Sequence, residues 1–236
     1  MFSVVPLIAR YSNNFIYDCL EWEILRERQR PTVAKFITKE PIDAKLPGFL
    51  WLGTADSVEK VALMTLVNTA KLENGNFMHK AVEVVRQWLD APFIASLKQT
   101  TADEVLLFLA RTYSMNYELI EVPKAEQRRD WGFIATVRNA LDLVWRIEGW
   151  KDFRWEFNTS LKKFRRTPLH FNMEAGAIPL PLVKEELSKS AGIVTQWLQY
   201  VKPFHLLLWK QQKFVVDSVL WRSVRRDCEI RWIAYE

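Results

Sequence analysis

Apolar residues recur at three- and four-residue steps along most of this chain, the spacing that lines one face of a helix. Ile8, Phe15, Ile16, Cys19, Leu20 and Ile24 give such a stripe over residues 7–29, which Arg26, Glu27, Arg28 and Arg30 close ahead of Pro31. Residues 32–54, broken by Pro41 and Pro47-Gly48, read as a connection. Asp56 with Glu59 three positions on has capping-box spacing and opens a second predicted helix through Val61, Leu63, Met64, Leu66 and Val67. Glu73-Asn74-Gly75-Asn76 ends it as a turn, and residues 77–90 (Val82, Val85, Trp88, Leu89) form the next helix.

Thr101 with Glu104 repeats the capping-box spacing and opens an apolar helix to about Leu119. Pro123 suits the first turn of another, in which Trp131, Ile134, Val137, Leu141, Val144 and Trp145 form a stripe that Gly149 interrupts. Trp150, Phe153, Phe157, Leu161 and Phe164 make a further stripe; Phe153 to Phe157 also alternates strictly and fits a short strand near 151–157, but the longer register favours helix. Thr167 to Pro181 reads as a long loop, followed by helices at roughly 182–201 and 203–228. The expectation is an all-α bundle of about eight helices in a single domain, 1–236.

Charge divides that domain. Residues 1–122 hold 13 Lys+Arg against 15 Asp+Glu, a net of −2, and residues 123–236 hold 20 against 13, a net of +7. The basic half is clustered at Lys162, Lys163, Arg165 and Arg166, and again at Arg222, Arg225 and Arg226, with Lys210 and Lys213 upstream. Cations on one surface favour polyanions, because each one meeting a phosphate releases condensed counterions. Aromatic residues interleave the first cluster, as in proteins that stack bases, but their helical spacing assigns them to a core and leaves the off-stripe Trp155 as a stacking candidate. Seven scattered glycines argue against a turn-rich β sandwich and against phosphate-cradling loops. Eleven tryptophans supply ring area for a core or an interface.

Catalytic chemistry finds little footing. His79 and His170 each have a glutamate four residues on, Glu83 and Glu174, which could orient an imidazole but adds no metal-ligand spacing. His205 lies among Phe204, Leu206 and Leu207 and reads as a packed residue. Cys19 and Cys228 are too few and too far apart for a disulfide framework or a zinc site. Phosphate-loop, dinucleotide, zinc-protease and nucleophile-elbow motifs are all missing from the sequence. The expectation is a non-enzymatic protein without cofactor or metal. No uncharged apolar run reaches membrane-spanning length and residues 2–9 lack the lead-in of a signal peptide, so a cytoplasmic location is expected.

A motif-poor helical chain with one basic face, entering core-like sequence at once (Val4, Val5, Leu7, Ile8), resembles the small subunit of Cascade-type CRISPR effector complexes. The resemblance implies a helical bundle beside other protein subunits or further copies of itself, with sequence-independent contacts to a nucleic-acid backbone by Lys162, Lys163, Arg165, Arg166 and the terminal arginine face. The competing expectation is an adaptor that docks proteins through a tryptophan-rich surface. A third is an enzyme built on a His–Glu pair, which requires His79 or His170 to line a polar pocket.

Overall fold

The computed structural model describes residues 7–158, 163–168, 178–180, 183–187, 191–196, 198 and 201–234. Among the described residues strands hold 55% and helices 14%, so the expected all-α bundle is replaced by a largely antiparallel β protein. The chain forms two compact units, Met1–Val84 with Asn172–Glu236, and Val85–Phe171. Each unit draws on both charge halves.

The first unit begins with β1 (Ile8–Ser12), β2 (Ile16–Cys19), β3 (Glu21–Glu27), β4 (Val33–Thr38), β5 (Gly48–Gly53), β6 (Val58–Lys71) and β7 (Phe77–Glu83). Hydrogen bonding runs β3-β4-β7-β6-β5-β1-β2. Leu20 alone separates β2 from β3, and its N–H carries the β3–β4 ladder one step further, to Ile37 O (2.8 Å). The path therefore ends on the strand where it began, and six staves close into a barrel. Period two governs burial: Trp22 and Ile24, Ala34 and Phe36, Leu50 and Leu52, and Ala62, Met64 and Leu66 point into one core. The stretch Val61–Val67 is apolar at nearly every position, so it satisfies helical spacing as easily as the alternation it adopts.

The second half of this unit supplies β13 (Ile178–Pro179), β14 (Val183–Glu186), β15 (Gly192–Gln196), β16 (Leu206–Trp209), β17 (Gln212–Arg222) and β18 (Asp227–Ala234). β17 pairs with β3 and extends the sheet through β18, β15 and β14, while its first residues pair with β16. Trp209 opposite Gln212 leaves only Lys210 and Gln211 in the β16–β17 turn, and both have positive φ (47° and 65°). A two-residue loop of this kind matches the right-handed twist of its strands, a role usually given to Asn-Gly.

The unit Val85–Phe171 mixes helix and sheet, with α1 (Val85–Leu89), β8 (Pro92–Thr100), α2 (Ala102–Thr112), β9 (Asn116–Leu119), β10 (Arg129–Thr136), α3 (Val137–Glu148), β11 (Phe153–Asn158) and β12 (Lys163–Pro168). Here local signals are realised. Thr101 caps α2, its hydroxyl accepting from Glu104 N while the Glu104 carboxylate accepts from Thr101 N. Thr136 caps α3, and Gly149, left-handed at φ 64°, stops it. Residues 153–158 are a strand, paired to β12, which in turn runs parallel to β9. The stripe expected from Trp131 to Trp145 is split between the strand β10 and the helix α3. Leu106, Leu109, Leu141, Val144, Phe93, Phe133, Trp155 and Phe164 fill the core.

Candidate assembly surface

Among the described residues, five of the eight expected cations meet carboxylates within the chain. Lys163 Nζ and Arg165 Nε both reach Glu118, at 2.5 and 2.9 Å, across the parallel β12–β9 pair. Arg166 is only 1% exposed. Its guanidinium lies 3.8 Å from the Trp150 ring centroid and donates to Asp103 Oδ2 at 3.2 Å and to the Pro123 carbonyl. Asp103 also accepts from Tyr117 Oη and from Ala125 N, each at 2.6 Å, and burial beside that carboxylate pushes the Tyr117 phenol far up. The node pins the segment after β9 to the start of α2. Arg222 lies between Asp227 (2.8 Å) and Glu229 (3.4 Å). Lys210 meets Glu186 at 2.7 Å. Lys213, Arg225 and Arg226 are exposed, the two arginines in the β17–β18 turn rather than on a helix face. Lys162 lies outside the described residues, as do His170 and Glu174.

The histidine expected to pair with a glutamate does something else. His79 is buried in the barrel between two hydroxyls, Thr38 Oγ1 at 2.9 Å from Nε2 and Thr69 Oγ1 at 3.0 Å from Nδ1. Thr38 spends its own proton on Glu40 O (2.6 Å), so it accepts from Nε2–H, and Thr69 donates to Nδ1. Both ring nitrogens of a neutral imidazole are thereby satisfied, and burial lowers the pKa of the ring. Glu83 accepts instead from Thr32 N (2.9 Å), and its carboxyl is pushed up by burial. Among the described residues no group of three or more His, Cys, Asp or Glu side chains could hold a metal ion. No helix among them is long and apolar enough to cross a membrane.

No tryptophan among the described residues is exposed, which removes the surface that the adaptor expectation required. Trp155, expected as a stacking residue, is buried against Phe157. The open apolar surface is aliphatic and phenylalanine instead. On the barrel unit, Phe15 and Ile16 are 70% and 73% exposed beside a shallow groove of about 250 Å³ lined by Ile16, Tyr17, Asp18, Leu20, Thr38, Lys39 and Glu40. Ser223 bonds both to Trp22 N and to Trp22 O, placing the β17–β18 turn with its exposed Val224 beside the start of β3. On the other unit, Ile94 and Ile134 face each other across the β8–β10 ribbon at 75% and 91% exposure. Single exposed apolar residues are ordinary, whereas these two meet across the strands as one continuous apolar patch.

Solved structures share this architecture along almost its whole length. The 43 kDa tail protein of prophage MuSo2 from Shewanella oneidensis superposes with a TM-score of 0.68 at 9% identity, covering 97% of this chain and 98% of that one. A tail protein from Neisseria meningitidis MC58 gives 0.69 at 8% identity, with 96% of each chain covered. The E. coli c3393 protein, described as a type VI secretion component similar to the T4 tail proteins gp27 and gp5, gives 0.65 at 11% identity over 93% of this chain and 74% of that one. The chain has the fold of these proteins. No family model matches it, and no curated protein matches its sequence.

That fold overturns the likeness to a Cascade small subunit, and the expectation of a nucleic-acid-contacting ribonucleoprotein subunit falls with it. The exposed isoleucine pair was open to sequence reasoning only through a strand assignment. In alternation, Ile94 and Ile134 fall on the side opposite Phe93 and Phe133; in the helical register Ile134 joins the core stripe.

Proposed function

We propose that this protein is a structural, non-catalytic subunit of a phage-tail-like assembly, held there by contacts with other protein subunits. The observation that carries the reading is the likeness to tail proteins over 93–97% of the chain. The side-chain chemistry supports it. His79 is locked between threonines, and burial pushes the Cys228 thiol up to about 12, away from nucleophilic use. Most of the clustered cations already meet carboxylates, whereas aliphatic surface is left open on both units.

The test is fractionation of an affinity-tagged chain from its native host. The chain should sediment with a large particle that survives nuclease and shows tail-like form by negative-stain electron microscopy. Recovery only as free low-mass protein, or in a complex dispersed by nuclease, overturns the reading.

A further inference from the structure

The β8–β10 ribbon has two faces of opposite character. Inward, Phe93, Trp131 and Phe133 are buried against α2 and α3. Outward, Ile94 stands opposite Ile134 and Ser96 opposite Gly132, an uncharged strip with no side chain between the isoleucines and the small pair. Toward the Thr100 end the same face carries two exposed charges of opposite sign, Lys98 on β8 and Asp130 on β10. Asp130 is held in place by Gln99 N, which donates to Oδ1 at 2.8 Å.

Gly132 is not explained by this chain's own packing. A Cβ there would meet nothing within 4 Å, and the backbone is not in the left-handed region. Glycine inside a strand costs roughly 0.5–1 kcal/mol relative to alanine. A strand glycine marks a bulge or a place where another backbone comes close; the ladder shifts register next to it, between Arg129 and Trp131, and its open side faces away from the molecule.

We propose that this face is a self-association surface, and that its occupant is the same ribbon of a second copy of the chain. Charge selects both occupant and geometry. A two-fold axis running along the strands lays β8 of one copy over β10 of the other. Ile94 then packs on the partner's Ile134, Ser96 lies over the partner's Gly132, and Lys98 meets the partner's Asp130, each contact made twice. A two-fold axis across the strands would set β8 on β8 and leave both charges against the uncharged strip. The small pair at Ser96 and Gly132 lets the sheets close to about 10 Å, the ordinary face-to-face spacing. This contact rests on the reading of the protein as an assembly subunit and names one of its partners.

The experiment is analytical ultracentrifugation of the purified full chain up to ~100 µM, a range that captures micromolar association. The parent should form dimers or larger even-numbered species. Ile134→Asp and, independently, Gly132→Leu should raise the dissociation constant by at least about tenfold, with circular dichroism unchanged because both sites are open. Lys98→Glu and Asp130→Lys should each weaken association, and mixing the two variants should restore it, since each altered charge then meets an opposite one across the two copies while neither chain is repaired within itself. A parent that stays monomeric, variants that associate like the parent, or a mixture no better than the single variants overturns the proposal. If one of these results is found while the tagged chain still enters particles in its host, the dimer fails and the assembly reading stands.

Discussion

Replacing Arg166 by alanine separates a structural cation from a phosphate contact. The substitution leaves Asp103 charged in a site that is 13% exposed, and cutting one partner from a buried ion pair costs about 3–5 kcal/mol. Asp103 keeps its bonds from Tyr117 and Ala125 N, which places the loss near the lower end of that range. The guanidinium stacked on Trp150 adds about 1 kcal/mol or slightly more. The expected destabilisation is therefore about 4 kcal/mol, far above the 0–1 kcal/mol of an exposed pair. Urea titration followed by tryptophan fluorescence measures it, and hydrogen exchange should place the loss within Val85–Phe171. Asp103→Asn combined with Arg166→Met should cost less than Arg166→Ala alone, because no uncompensated charge remains. A single-site loss below about 1 kcal/mol, or a double variant worse than the single, would refute the buried node.

Acid should weaken the barrel through His79. The unfolded chain binds the imidazole proton near 6.5 and the folded chain only at lower pH, so stability present above that value drains away as pH falls from it toward the folded pKa. A urea-midpoint series from pH 8 to 5 checks this, and a His79→Gln variant with the same slope would dismiss it. Replacing Lys210-Gln211 by Asn-Gly should stabilise the chain by about 1 kcal/mol, since both positions have positive φ and the ion pair surrendered with Glu186 is exposed; an unchanged or lower urea midpoint counts against it. Gly149→Ala should cost about 1 kcal/mol through backbone conformation alone, because its Cβ would meet no atom within 4 Å. Thermal unfolding showing no loss would mean α3 ends by some other means.

What the sequence revealed was local, and what it hid was long-range. The Thr101 cap, the Gly149 stop and the turn around Gly75 each depend on a few neighbouring residues, and each is present, while at Phe153–Phe157 the alternation prevails over the helical register that the longer stripe favoured. Strand pairing is not local: Trp22 meets Ser223, two hundred positions away, and nothing in a short window announces it. Continuous apolar runs such as Val61–Val67 fit both periods. The scarcity of glycine misled for a specific reason, because Gln29, Gln99, Ser114, Glu121, Phe204, Lys210, Gln211 and Arg226 take positive φ themselves. The site was misread at the same level. A run of four cations in five residues looks like a phosphate surface until its strand register sets Lys163 and Arg165 beside Glu118 and turns Arg166 inward.

The order in which the barrel unit acquires its strands has a cost during synthesis. β3 is among the first strands translated, and the strand that covers its second edge, β17, is among the last. Between them the ribosome must produce the whole Val85–Phe171 unit, whose ladders and core are internal to it and can form as soon as it emerges. At ordinary elongation rates the open edge of β3 waits on the order of ten to forty seconds for its partner. An unpaired edge lined by Trp22 and Ile24 is adhesive over that interval. Pausing in the insert, or crowding of nascent chains on one message, should therefore trap this protein in aggregates far more readily than a shift in its equilibrium stability would suggest.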